Sequence, residues 1–141
     1  MLVSVIKTIL AVLLVFYYTH ACRQYEPDYG PDCDIDRGPC TKRIDNIEIA
    51  IDINPKPVEA MKELSFTVNL RGSSGHEKLI VDLVMPGMYM GENRVLLKKS
   101  ADGEFTGVGI IPRCPSGKRL WRATIEIPDI GKVDFLFNVK K

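Results

Sequence analysis

From Ile47 onward, apolar side chains fall on every second residue. Ile47, Ile49, Ile51 and Ile53 alternate with Glu48, Ala50 and Asp52, the periodicity of a strand with one buried face. Leu64, Phe66, Val68 and Leu70 repeat the pattern after a break at Pro55 and Pro57. Residues 79–84 (LIVDLV) are apolar on both faces except at Asp82, which predicts a central strand. Alternation returns at residues 95–98, 105–111, 120–127 and 133–139, the last with Val133, Phe135, Phe137 and Val139 facing inward. Turn chemistry separates these runs, as at Asp102-Gly103, a pair suited to a tight hairpin. No helical periodicity competes beyond residue 54, and residues 58–63 allow at most a turn. Seven short strands in roughly 100 residues predict an all-β fold, an antiparallel β-sandwich of immunoglobulin-like type. Trp121 shares a face with Ala123, Ile125 and Ile127 and is expected to anchor the core rather than serve as a ligand platform.

The N-terminal pattern is different. Residues 8–18 (TILAVLLVFYY) are nearly all apolar, preceded by Lys7 and followed by Thr19, His20 and Ala21. A basic flank, an apolar run of this length and a small residue before the cut predict a secretory signal peptide over residues 1–21. The run is short for a membrane span, and only by continuing across Lys7 into Leu2–Ile6 does it become a retained anchor. Cys22 follows Ala21 directly, so Thr19-His20-Ala21-Cys22 resembles a bacterial lipobox, with Thr19 and His20 standing where such boxes carry Leu and a small residue. Cys22 is therefore a lipidation candidate. The expected location is exported, in the periplasm or cell envelope, with membrane attachment only through this N-terminal anchor or lipid.

Residues 22–43 (CRQYEPDYGPDCDIDRGPCTKR) lack apolar periodicity and are dense in Pro, Gly and Asp, which predicts an irregular arm before a sandwich domain over residues 44–141. The arm carries Cys22, Cys33 and Cys40, and Cys114 is the one cysteine elsewhere. Four cysteines can close two disulfides in an oxidising compartment, whereas lipid on Cys22 leaves an odd thiol. A bond from Cys33 or Cys40 to Cys114 is the favoured expectation, because it tethers an arm that buries little apolar surface to the rest of the chain. No C-x-x-C pair points to zinc or redox chemistry.

Composition narrows the function classes. The 141 residues leave room for one ordinary domain, and 45% hydrophobic with 26% charged residues describes a globular chain. Nineteen basic against eighteen acidic residues leave a formal charge of +1, so no electrostatic footprint for nucleic acid or an anionic lipid surface is present. An enzyme is not expected. His76, in a Gly- and Ser-rich loop, is the sole histidine beyond the signal segment, so no serine, histidine and acid set forms, and no phosphate-binding glycine loop occurs. Asp28, Asp32, Asp34 and Asp36 read as solvated charge, since Arg37 interrupts the D-x-D-x-D-G spacing of a calcium loop.

One segment carries candidate chemistry. Met85-Pro86-Gly87-Met88-Tyr89-Met90-Gly91 holds three of the five methionines. Pro86-Gly87 suits the centre of a type II turn, which sets Met85 and Met88 on its flanks. An extended chain after Met88 turns Met90 to the same side. Three thioethers would then converge, and soft thioethers select Cu(I). The competing reading makes these flexible side chains gap fillers at the open end of the sandwich.

The tract VDLVMPGMYM (residues 81–90), then Asp102-Gly103-Glu104-Phe105, then Gly117-Lys118-Arg119-Leu120-Trp121-Arg122 resembles the YtkA-like domain, related to the FixH proteins. In that family an M-P-x-M loop, a D-G-aromatic hairpin and a G-x-W strand recur in this order on an immunoglobulin-like sandwich, and the resemblance runs from about Ile44 to Val139. It implies an exported or membrane-anchored protein near copper handling or cytochrome oxidase assembly, with Met85 and Met88 as the motif methionines. The chain departs from the family where a histidine often follows the second methionine, since Tyr89 and Met90 stand there, and where a methionine precedes the G-x-W strand, since Cys114 stands there. The resulting expectation is a non-catalytic envelope domain that binds or delivers Cu(I) through Met85, Met88 and Met90, with an envelope protein or copper-dependent oxidase assembly factor as partner. The alternative is a structural or protein-interaction domain without metal.

Overall fold

The computed structural model describes Lys7 and residues 30–141. The signal or anchor segment apart from Lys7, the lipidation candidate Cys22 and Asp28 lie outside the described residues. Eight strands follow in chain order: β1 (Cys40–Ile44), β2 (Ile47–Asn54), β3 (Glu63–Arg71), β4 (Lys78–Val84), β5 (Arg94–Ala101), β6 (Glu104–Ile110), β7 (Leu120–Ile127) and β8 (Gly131–Asn138). They form one sheet in the order β1-β2-β3-β6-β5-β4-β7-β8, and every neighbouring pair is antiparallel. The all-β antiparallel class predicted from the alternation is the observed one. Strands β2-β3-β6-β5 and β4-β7-β8 run in the two strand orders of an immunoglobulin-type sandwich, with β1 added at the outer edge.

β5 joins the two halves. Its first part pairs with β4, as Val81 opposite Val95 and Leu79 opposite Leu97. Its last part pairs with β6, as Lys98 opposite Thr106 and Lys99 opposite Phe105, with a register shift before Ala101. The two outer edges meet through the arm. Asp32 and Cys33 both donate their N–H to Leu136 O in β8, at 3.0 and 3.1 Å, and Leu136 N–H donates to Asp32 Oδ1. Lys42 in β1 pairs with Asp32 and donates to the Asp134 carbonyl of β8 at 2.6 Å. The sheet is thereby curled nearly into a barrel.

The inward positions are those that the alternation marks. Ile49, Ile51, Ile53, Leu64, Phe66, Val68, Leu79, Val81, Phe135 and Phe137 are buried, and Trp121 is 2% exposed at the centre. Among the described residues no side chain in this core is polar or charged, so its cohesion comes from apolar burial. Gly103 closes the β5–β6 hairpin with φ 71°. A Cβ there would lie 2.5 Å from Leu70 O, because Leu70 N–H donates to Gly103 O and docks the turn on β3.

Three expectations are corrected. The sheet has eight strands rather than seven, because Cys40–Ile44 of the arm forms β1 against β2. The disulfide joins Cys33 to Cys40, with Cα atoms 5.9 Å apart, and among the described residues Cys114 is a free thiol, bonded to neither Cys33 nor Cys40. Bonding within the arm requires only a short loop to close, which is entropically favoured over a long one. The arm acids are also more than solvated charge, since Asp36 accepts the Val58 N–H at 2.8 Å and Asp32 clasps β1 and β8.

Candidate functional site

The pairing of β4 with β7 decides which loops meet. Val84, the last residue of β4, is opposite Arg122, two residues into β7. The connection that leaves β4 (residues 85–93) and the one that enters β7 (residues 111–119) therefore lie at the same end of the sheet. The first carries the methionines and the second carries Cys114.

The methionine turn forms as its local sequence dictates. Met88 N–H donates to Met85 O at 3.1 Å, Met85 and Met88 face each other across the turn, and Gly87 takes φ 72°, the positive value that the third turn residue requires. The side chains then diverge in environment. Met85 is 3% exposed and belongs to the core, whereas Met88 and Met90 are half-buried and rest against its rim. Tyr89 between them is 88% exposed. A cavity of about 310 Å³ is lined by Met85, Met88, Tyr89, Met90 and Arg122, together with the turn backbone. Arg122 Nε is buried on this wall with no hydrogen-bond partner.

Cys114, which is not among the residues lining this cavity, adds a further sulfur beside Met88. Its side chain is 5% exposed, and its thiol donates to Met88 Sδ at 3.7 Å. Ser116 Oγ lies 3.0 Å from the sulfur, and a turn holds the two residues together through Gly117 N–H on Cys114 O at 3.1 Å. The Ser116 hydroxyl is the main influence that holds the thiol below its usual pKa; burial opposes it, and the amides of Ser116, Lys118 and Gly117 reinforce it. These are donors that satisfy a thiolate.

Of the residues singled out in the sequence, Met85, Met88 and Met90 thus meet at one cavity, with Met85 acting also as a core filler. Cys33 and Cys40 are taken up by the arm. Cys114, expected to anchor a disulfide, instead stands at the methionine loop. The only sequence signal for this placement is the resemblance that sets a methionine at its position. His76 is engaged with Ser73 Oγ at 2.8 Å. Among the described residues no three His, Cys, Asp or Glu side chains converge as a metal group, so the soft donors at this end are the sulfurs of methionine and Cys114. The chain matches no protein-family model, no curated protein and no solved structure.

Proposed function

We propose that this chain is a non-catalytic, exported cell-envelope domain of YtkA-like kind that binds or delivers Cu(I) at its methionine loop. The observation that carries the reading is the turn at Met85-Pro86-Gly87-Met88, which sets Met85, Met88 and Met90 around one cavity at the end of the sheet. Thioether sulfur is a soft donor suited to a monovalent copper ion and poorly suited to zinc or hard cations. Two thioethers at the rim and one in the core give such an ion a partly open seat, from which a protein partner in the envelope can take it. Signal peptide, N-terminal attachment and a copper-dependent oxidase assembly partner belong to the same proposal.

A Cu(I) titration of the intact chain against a chromogenic chelator tests it. One-to-one binding is expected, and Met88→Leu, which keeps volume and removes the sulfur, should weaken it. No binding by the unaltered chain would end the copper reading. A second reading has its own support. Ile80 and Leu96 are opposite each other on β4 and β5 and are 39% and 50% exposed, an apolar outward row that favours a protein-interaction domain. Cross-linking that captures a partner through this row in a chain that binds no copper would favour it.

A further inference from the structure

The donors at the methionine loop do not balance in charge. Thioethers are neutral, and Arg122 brings a guanidinium to the cavity wall with its Nε buried and unpartnered. A monovalent cation seated among methionines alone would add a second positive charge beside this partly desolvated guanidinium, an arrangement that burial disfavours. An anion within reach removes the difficulty. Cys114 is a group that can become one, and its Sγ already touches Met88 Sδ.

The separation of the two sulfurs fits a shared ion. With metal–sulfur bonds of about 2.3 Å and a tetrahedral angle of about 109°, two sulfurs on one ion lie about 3.8 Å apart. Cys114 Sγ and Met88 Sδ are 3.7 Å apart. Neither sulfur needs to travel to meet a cation placed beside both. Among the described residues the Cys114 thiol is also free to do so, since the disulfide joins Cys33 to Cys40.

Resting on the copper reading of the loop, we propose that Cys114 is the anionic ligand of this site and forms, with Met88 and Met90, a mixed thiolate and thioether centre for a monovalent soft cation. On binding, one metal–sulfur bond forms at Cys114 Sγ and its S–H proton passes to solvent. No oxidation state changes. The ion and thiolate together are neutral, so Arg122 no longer faces a bare cation. The loop residue Ser116 keeps its place 3.0 Å from the sulfur, as a hydroxyl donor to the bound thiolate. A structural thiol packed only among hydrocarbon would meet neither the second sulfur nor this hydroxyl.

The test uses the full chain with its arm disulfide intact. Cu(I) is titrated against a chelator, thiolate-to-copper charge-transfer absorption is followed in the ultraviolet, and alkylation of each cysteine is mapped by mass spectrometry with and without Ag(I). The chain is expected to develop the charge-transfer band, and Ag(I) is expected to protect Cys114 from alkylation. Cys114→Ser should abolish the band and weaken Cu(I) by more than about tenfold, a loss that even an outer partner of a metal ligand produces. Cys22→Ser should leave the band in place. Undiminished binding by Cys114→Ser, with Met88→Leu still weakened, would overturn the thiolate ligand while leaving the methionine site standing. No Cu(I) binding by the unaltered chain would overturn both. If Cys114→Ser does not fold, protection of Cys114 in the unaltered chain decides: its alkylation at the same rate with and without Ag(I) refutes the proposal.

Discussion

Removing the Cys33–Cys40 disulfide tests how the curled sheet is held closed. The substitution is Cys33→Ala together with Cys40→Ala. The bond spans seven residues in sequence, and loop-closure entropy for a ring of about eight residues amounts to about 2.5 kcal/mol at room temperature. Cys40 is buried opposite Ile51, so its truncation adds at most about 1 kcal/mol for the small volume lost. Noncovalent closure survives, because Asp32 and Cys33 still donate their backbone N–H to Leu136 O and Lys42 still pairs with Asp32. The core from Ile49 to Val139 lies mainly in β2 to β8 and the segments between them, and none of it is attached through the bond. Urea unfolding of the double variant should therefore show a loss of about 2.5–3.5 kcal/mol, with a denaturant slope no lower than that of the parent, since the unfolded chain is only freed by the change. Far-ultraviolet circular dichroism should keep its β signature, while amide exchange at Leu136 speeds up. A loss above about 5 kcal/mol, or loss of the β signature, would mean that the bond supports the core itself, and the reasoning would fail. A loss below about 0.5 kcal/mol would show that the clasp of Asp32 and Lys42 holds the arm without covalent help, which fails it in the other direction.

Two further perturbations probe strands β6 and β2. Gly109 has no room for a side chain, since a Cβ would run into Val95 Cγ2 and come within 3.3 Å of Phe66 Cε2. Gly109→Ala should therefore lose about 1–3 kcal/mol by overpacking, and a neutral or stabilising urea midpoint would contradict the packing. Burial raises the pKa of Asp52, but hydrogen bonds from Lys56 and Asn54, the Lys56 charge and the Ile53 N–H outweigh it and hold the carboxyl below its ordinary value. A depressed folded value contributes stability above the unfolded pKa of about 3.9, and that contribution fades as pH falls through the folded value. The stability gap between the parent chain and Asp52→Asn should accordingly be full at neutral pH and shrink below about pH 4; a gap that stays constant into acid would refute the assignment.

β2, β3, β4, β7 and β8 are legible in the sequence because each buries one face against a common core, and a half-buried strand writes that burial as alternation; β5 and β6 show it only in part, with Val95, Leu97 and Phe105 buried and Val108 and Ile110 exposed. β1 is not legible, because in CTKRI only Cys40 is buried, and the strand is held by its backbone ladder to β2. The same limit applies to the closure of the sheet. Asp32, Lys42 and Leu136 meet through hydrogen bonds between side chain and backbone, which leave no periodic trace. Ile35 is a sharper case: it is 1% exposed yet stands between Asp34 and Asp36, so local composition reads as solvated arm. Its burial comes from the path of the arm over the core, and Lys56 Nζ, which donates to Ile35 O at 2.6 Å, helps to hold that path.

The methionine turn is legible for a local reason and Cys114 is not for a distant one. Met85-Pro86-Gly87-Met88 specifies its own geometry within four residues, whatever the rest of the chain does. The contact between Met88 and Cys114 is set by β4 pairing with β7, a fact about topology that no window of sequence contains. Expecting an arm cysteine to reach Cys114 also points the wrong way in energy. Closing a ring of about eight residues rather than one of roughly eighty saves roughly 2 kcal/mol of loop entropy, and the arm contains both halves of the shorter ring. The arm disulfide thereby determines the chemistry available at the far loop. With Cys33 and Cys40 joined to each other, neither takes up Cys114, whose thiol stands beside Met88, and exchange of either of these two sulfurs onto Cys114 would remove the thiol that the proposed metal centre requires.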